Sequence, residues 1–308
     1  MTSSVALCTY NGETYIAEQL DSILSQTLPV SEIIVCDDQS SDGTVKILKN
    51  YSEKHPNLIK VYENSENLGY VGNFEKAMSL CTGDIVFLCD QDDRWYPHKN
   101  EYITRLFKNE KQINIICHNI KLFGEPVNST DEITYWDLDT NGPDQFTGPQ
   151  DVIKRILFQG NIFPGMSMAI RNTFLKEHLP LQKINPVIIH DYELLLLAAD
   201  KNSVQTDTAI LGEYRIHPKQ SIGFNTFSKL KASEKPPITR EALFSVFRRN
   251  TFVKETISNL QLSPSLKDGY KEYCLQYYKD YMKSLSPLKR LIAGIKMKYY
   301  FHIFDYLK

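Results

Sequence analysis

The chain has 308 residues, long enough for one large domain or two modest ones with a real buried core. Hydrophobic residues at 42% and charged residues at 23% exclude a disordered or collagen-like chain. With 35 Lys and Arg against 37 Asp and Glu, a net charge of -2 gives no reason to expect a nucleic acid partner.

In chain order, a strand at about 4 to 8 (SVALC) leads to a helix at about 12 to 26, and EIIVC at 32 to 36 leads to a helix at about 43 to 54. LIKVY at 58 to 62 precedes a helix at about 72 to 81. DIVFLC at 84 to 89 precedes a helix at about 97 to 109, and INIICHNI at 113 to 120 closes the series. Strands alternating with amphipathic segments across short connections predict an α/β fold, with a mostly parallel sheet flanked by helices. From about 123 to 150 the chain is polar, aromatic and turn-rich, which reads as a flap. A helix at about 150 to 158, a strand around 165 to 171 (GMSMAIR), a helix after His190-Asp191 and strands near 203 to 217 follow. From 228 the composition is helical and rich in Lys, Tyr and Leu.

No stretch approaches the roughly 20 apolar residues of a membrane span, and the N-terminus runs straight into a strand pattern, so no secretory signal is expected. The six cysteines form no CxxC pair, and Cys8, Cys36, Cys89 and Cys117 sit in strand-like runs. Buried thiols in a reducing cytoplasm explain that pattern better than disulfides or zinc.

In parallel sheets ligands bind beyond the carboxyl ends of the strands. Those ends carry Thr9-Tyr10-Asn11, Asp37-Asp38 and Asp90-Gln91-Asp92-Asp93. Three carboxylates within four residues repel one another unless solvated or bridged by a cation, and Mg2+ or Mn2+ takes oxygen ligands together with substrate phosphates. The competing explanation is capping of the helix near Pro97 by Asp92 or Asp93. Asp37 and Asp38, as acceptor-only groups, suit ribose hydroxyls and a base N–H. An ordinary turn, with Ser41 or Asp42 capping the next helix, accounts for the same segment. Asp191 before ELLLLAA is either a general base or an N-cap.

The set TYNG, CDDQSSDGT, NLGYVGNFEKA and CDQDDRW resembles family 2 of the GT-A glycosyltransferases. HDYELLLLAA and YRIHPKQSIG extend the likeness toward the subgroup containing bacterial rhamnosyltransferases of polysaccharide synthesis. The resemblance implies a catalytic domain over 1 to 223, with a nucleotide-sugar half to about 120 and an acceptor half beyond it, and a helical extension over 224 to 308. It implies that Thr9, Asp37 and Asp38 hold the nucleoside, with Tyr10, Asn11 and Gln91 beside them, and that Asn67, Gly69 and Asn73 line the diphosphate. Asp90 and Asp92 would supply the DxD motif, Asp90 nearer the ribose and Asp92 on the metal, with Asp93 close enough in sequence to be a ligand. Arg215 would neutralise the leaving diphosphate, His217 would ligate the metal, and Asp191 would be the base of an inverting transfer.

The implied partners are a dTDP- or UDP-sugar and a glycan or polyprenyl-linked acceptor, with FQGNIFPGMSM at 158 to 168 shaping the acceptor cleft or simply packing. The tail from 283 to 308 has a basic amphipathic pattern that suits either an anionic membrane surface or packing. A nicotinamide-dependent oxidoreductase is disfavoured because TYNGETY replaces the GxGxxG turn after the first strand. A catalytically silent sugar-nucleotide or glycan binding subunit is the remaining alternative.

Overall fold

The computed structural model describes residues 1–124, 132–138, 146, 148–218, 239–287, 289–290 and 293. The chain divides into two compact units, Met1–Ile153 with Asn161–Lys231, and Lys154–Gly160 with Ala232–Lys308.

The first unit is built on an eight-stranded sheet. Strands β1 (Ser3–Thr9), β2 (Glu32–Asp37), β3 (Ile59–Glu63) and β4 (Ile85–Cys89) pair in parallel, separated in sequence by helices α1 (Ile16–Leu24), α2 (Thr44–Lys54) and α3 (Gly69–Leu80). β5 (Arg94–Trp95), helix α4 (Lys99–Asn109), β6 (Ile115–Phe123), helix α5 (Pro149–Gln159), β7 (Met168–Arg171), helices α6 (Asn172–His178) and α7 (His190–Asp200), and β8 (Val204–Arg215) follow. The spatial order is β3-β2-β1-β4-β7-β6-β8-β5, with β7 antiparallel to both β4 and β6. The apolar runs of β1, β2 and β4 are buried along their whole length, as strands covered on both faces must be. Val5, Leu7, Val35 and Phe87 pack with Ile16, Leu20 and Ile23 of α1 and with Ile103 and Phe107 of α4.

Register places the site. Thr9 lies opposite Asp37, and Leu7 lies opposite Cys89. The segments after β1, β2 and β4 therefore emerge side by side at one end of the sheet.

Several boundaries differ from those expected. α1 begins at Ile16 rather than near 12, because the Gly12 carbonyl accepts from the N–H groups of Tyr15 and Ile16, both at 3.0 Å, and closes a turn first. α3 begins at Gly69, whose φ of +69° is cheap only for glycine. The expected strand at 165 to 171 opens with a 3-10 turn, Gly165–Ser167, and the strands near 203 to 217 are one strand with two register shifts against β6. Most of the expected flap lies outside the described residues.

The second unit contains α8 (Arg240–Asn259) and α9 (Ser265–Ser284). Thr239 caps α8, its hydroxyl accepting from the Ala242 N–H at 3.1 Å. Tyr270 of α9 bonds the Val246 carbonyl, and its ring lies 5.0 Å from that of Phe158. Most of the amphipathic tail lies outside the described residues. Among the described residues no helix is long and apolar enough to cross a membrane, and all six cysteines are buried and free.

Candidate active site

The loops after β1 and β2 are stitched together by the residues that the sequence singles out. Asp37, buried, accepts from Thr9 Oγ1 at 2.7 Å, from the Ser40 N–H at 2.9 Å and from Ser40 Oγ at 2.6 Å. Asn11, at a positive φ of 50°, accepts from the Ser41 N–H at 2.8 Å. Gln91 reaches back across the sheet end and pairs twice with the Tyr10 backbone, accepting at 2.8 Å and donating at 3.0 Å. That approach requires glycine at position 12, where a Cβ would meet Gln91 Oε1 at 2.2 Å. The Tyr10 side chain is half-exposed beside this seam.

Asp38 Oδ1 accepts from Asn64 Nδ2 at 2.8 Å and the Leu68 N–H at 2.7 Å. Asn67 closes the turn before α3, donating to the Asp38 carbonyl at 3.0 Å and accepting from the Gly69 N–H at 3.1 Å. Asn73 does not line an open site. It shares the inner face of α3 with Phe74 and Ala77, is 2% exposed, and bonds Asn64 and the Cys36 carbonyl, both at 2.9 Å. Asn64, which joins Asp38 to Asn73, carries no motif signal in the sequence.

At the end of β4 the DQDD segment splits in direction. Asp92 Oδ2 lies 2.8 Å from His217 Nε2. Asp93 points inward, 1% exposed, its Oδ1 accepting from the Arg215 N–H at 3.0 Å and its Oδ2 buried without a hydrogen-bond partner. Burial, then the charges of Asp92 and Asp90, push the Asp93 carboxyl well above its ordinary range. Its inward direction and its bond to the adjoining strand set Asp93 apart from Asp92, whose Oδ2 faces His217. Arg215 differs from expectation. Its guanidinium pairs with Glu18 and donates to the Asp92 carbonyl at 2.7 Å, so it braces the turn rather than facing an open diphosphate site.

Among the described residues no group of three or more His, Cys, Asp or Glu side chains is arranged to hold a metal. The Asp92–His217 pair nevertheless fits a hard divalent cation of the kind that takes one or two protein ligands and completes its shell with phosphate oxygens and water.

Asp191 occupies the second residue of α7, with Ile189 at the N-cap position, so it is not the cap that its sequence context allows. Its Oδ1 accepts from the Tyr192 N–H at 2.6 Å. The carboxyl is 5% exposed, and burial raises it from 3.8 to about 7, against the pull of backbone N–H groups that include Gly165. Asp90 is raised by burial and then by the charges of Asp92 and Asp191, which puts each of those two carboxylates within electrostatic reach of Asp90. His190, next to the candidate base, stacks on Phe74 at 4.2 Å; burial lowers it to about 3 and keeps it neutral.

Two further groups escaped the sequence reading. Lys99 is fully buried, donates to the Met166 carbonyl at 2.7 Å, lies over Trp95 at 4.2 Å, and is lowered by burial to about 7. Its spacing of four from Ile103 and eight from Phe107 places it on the core stripe of α4, a signal available beforehand. Glu18 of α1 bridges Arg94 and Arg215 and has no such signal.

Residues 4–178, more than half of the chain, match the model of glycosyl transferase family 2. The chain belongs to that family. It is 27% identical over 220 residues to an uncharacterized glycosyltransferase of Nostoc sp., covering 70% of this chain and 65% of that protein. It is 32% identical to the putative glycosyltransferase EpsE of Bacillus subtilis over 40% of this chain and 44% of that one. It is 28% identical to the poly(ribitol-phosphate) beta-glucosyltransferase of Bacillus spizizenii over 89% of this chain and 44% of that one. The matched part is thus less than two thirds of each relative's own length.

Its fold is shared with S. aureus TarS in complex with UDP-GlcNAc, with a TM-score of 0.60 at 18% identity over 92% of this chain and 80% of that one. A mannosyltransferase from Pyrobaculum calidifontis in complex with GDP-Man and Mn2+ gives a TM-score of 0.55 at 17% identity, over 99% and 84%. The mixed, mostly parallel sheet flanked by helices is the GT-A fold.

Proposed function

We propose that this family 2 chain is an inverting, divalent-metal-dependent glycosyltransferase. It moves a sugar from a pyrimidine nucleoside diphosphate, UDP or dTDP, to a hydroxyl of a glycan or polyprenyl-linked acceptor in cell-surface polysaccharide synthesis. The observation that carries the reading is the Asp92–His217 pair beside Asp90, with the buried carboxylate Asp191 within electrostatic reach of Asp90. Family membership, and relatives and neighbours named for sugar transfer, support it.

In this reading the loops braced by Asp37 and Asp38 receive the nucleoside, with Tyr10 beside it, and Asp90 lies toward the ribose. A divalent ion, Mn2+ or Mg2+, held by Asp92 and His217 would neutralise the charge that builds on the departing diphosphate. Asp191 takes the acceptor hydroxyl proton as the new C–O bond forms at the anomeric carbon. The bond from that carbon to the diphosphate breaks on the opposite face, so configuration inverts and no covalent sugar–enzyme intermediate forms. Burial serves this step, because a base poised near neutral pH couples availability to proton affinity.

Rhamnose belongs in the donor panel on the strength of the HDYELLLLAA and YRIHP segments. The basic tail would hold the enzyme against an anionic membrane at the cytoplasmic face, which sedimentation with anionic liposomes, full chain against truncation after Ser286, tests. The stereochemical claim is tested by NMR of the product: an anomeric configuration opposite to the donor's supports it, and retention overturns it.

A further inference from the structure

We propose that Glu18, acting through Arg215, is the positioning residue that sets the geometry of the Asp92–His217 pair, and with it the site's affinity for its divalent cation, resting on the assignment of that pair to the cation.

Glu18 lies off the buried stripe of α1, which is formed by Ile16, Gln19, Leu20 and Ile23, and its side chain is 42% exposed. The core does not require a carboxylate there. Its Oε1 accepts from Arg94 Nε at 2.6 Å, and its Oε2 pairs with Arg215 Nη2. The Arg215 guanidinium lies over two rings, 4.5 Å from Tyr15 and 4.3 Å from Phe123. From that position its Nε donates to the Asp92 carbonyl at 2.7 Å, and its own backbone N–H donates to Asp93 Oδ1 at 3.0 Å. One residue thus grips the backbone of Asp92 and the side chain next to it.

Two positions farther along, His217 places Nε2 at 2.8 Å from Asp92 Oδ2, with its ring 5.0 Å from that of Tyr15. Asp92 is therefore tied to the Arg215 guanidinium, His217 follows from the same strand end and shares the Tyr15 ring with that guanidinium, and the direction of the guanidinium is set by Glu18. Arg94 has a second carboxylate in Glu213 at 3.2 Å. Among the described residues Arg215 has an ion pair with Glu18 alone. Loss of Glu18 should leave Arg94 anchored and release Arg215. A planar fork that binds a carboxylate on one side and a carbonyl on another has no equivalent in lysine. Groups that orient ligands in this way typically change metal affinity by about 10- to 100-fold when removed.

The test is Glu18→Gln in the full chain, with free Mn2+ followed by electron paramagnetic resonance during titration in the presence of UDP. We expect Mn2+ affinity to fall by about 10-fold or more, with metal-free UDP binding and the melting temperature close to wild type. The Mn2+ concentration for half-maximal transfer should rise in step, while kcat at saturating Mn2+ stays near wild type. Arg215→Lys should reproduce the loss, and the double variant should be no worse than either single one, since both break the same link. Arg94→Gln, which leaves Arg215 and Asp92 joined, should bind Mn2+ normally.

Wild-type Mn2+ affinity in folded Glu18→Gln overturns the inference, as does an equal loss in Arg94→Gln. Should Glu18→Gln fail to fold, Arg215→Lys decides on the same readout. If the wild-type chain with UDP binds no Mn2+, the cation assignment itself fails, and the inference with it.

Discussion

Asp191→Asn separates catalysis from folding with opposite signs. The amide keeps the size of the side chain and an oxygen to accept the Tyr192 N–H, so the first turn of α7 is preserved. It takes no proton at neutral pH, and loss of a general base typically costs about 100- to 10,000-fold in rate. At the lower end that is roughly 2.7 kcal/mol of barrier. The sequence alone implies an unchanged stability, but burial alters that expectation. A carboxyl raised from 3.8 to about 7 holds in the folded chain a proton that the unfolded chain releases. Its ionisation therefore costs stability progressively between those values, and fully above about pH 7, on the order of 4 kcal/mol. Asn carries no such cost. Urea denaturation of the first unit should show the variant more stable than wild type at pH 8 and nearly equal to it at pH 4. Transfer by wild type should climb as pH rises through about 7 as Asp191 loses its proton, while the variant stays at least 100-fold slower at pH 8. Transfer within a few-fold of wild type would remove Asp191 from the mechanism, and equal stability at pH 8 would show that its carboxyl is not held in the protonated range by burial.

Asp92→Asn removes one charge from the Asp92–His217 pair at constant size, and calorimetric donor titrations should lose their dependence on Mn2+ while the metal-free affinity and the fold persist; an undiminished Mn2+ effect would exclude Asp92 as a ligand. Glu32, buried at the other end of β2, accepts from Ser4, Thr82 and Lys60, and those bonds outweigh the cost of burial and lower it to about 2. Because the folded value is depressed, its contribution, on the order of 3 kcal/mol, is present above about pH 4.5 and lost as pH falls toward 2. Glu32→Gln should accordingly destabilise by a similar amount at pH 7, with the gap narrowing between pH 4.5 and 2; a pH-independent gap would contradict the ionic origin.

The alternating half of the fold was legible because each of β1, β2 and β4 carries a continuous buried apolar run and the helices between them keep buried stripes. The strand β5 has two residues and α6 seven, too few for a period to form. The reversal of β7 depends on which neighbours it meets, which no local pattern encodes. In the site, residue type revealed that acids gather at strand ends but not where each one points. Four consecutive polar residues, DQDD, give Gln91 to the Tyr10 backbone, Asp92 to His217 and Asp93 to the interior. The family resemblance makes Arg215 a partner for a diphosphate, yet Glu18, distant in sequence, already pairs with it. The bracing role of Asn73 escapes the sequence for the same reason: its partner Asn64 is a tertiary neighbour.

The most direct test of glycosyl transfer is release of nucleoside diphosphate. The full chain, incubated with a panel of UDP-, dTDP- and GDP-sugars, Mn2+ and glycan or polyprenyl-linked acceptors, should release UDP or dTDP from one donor, and a chelator should stop that release. Tight binding of a donor with no release from any donor and acceptor pair, with or without metal, would contradict the account and mark the chain as a sugar-nucleotide binding subunit.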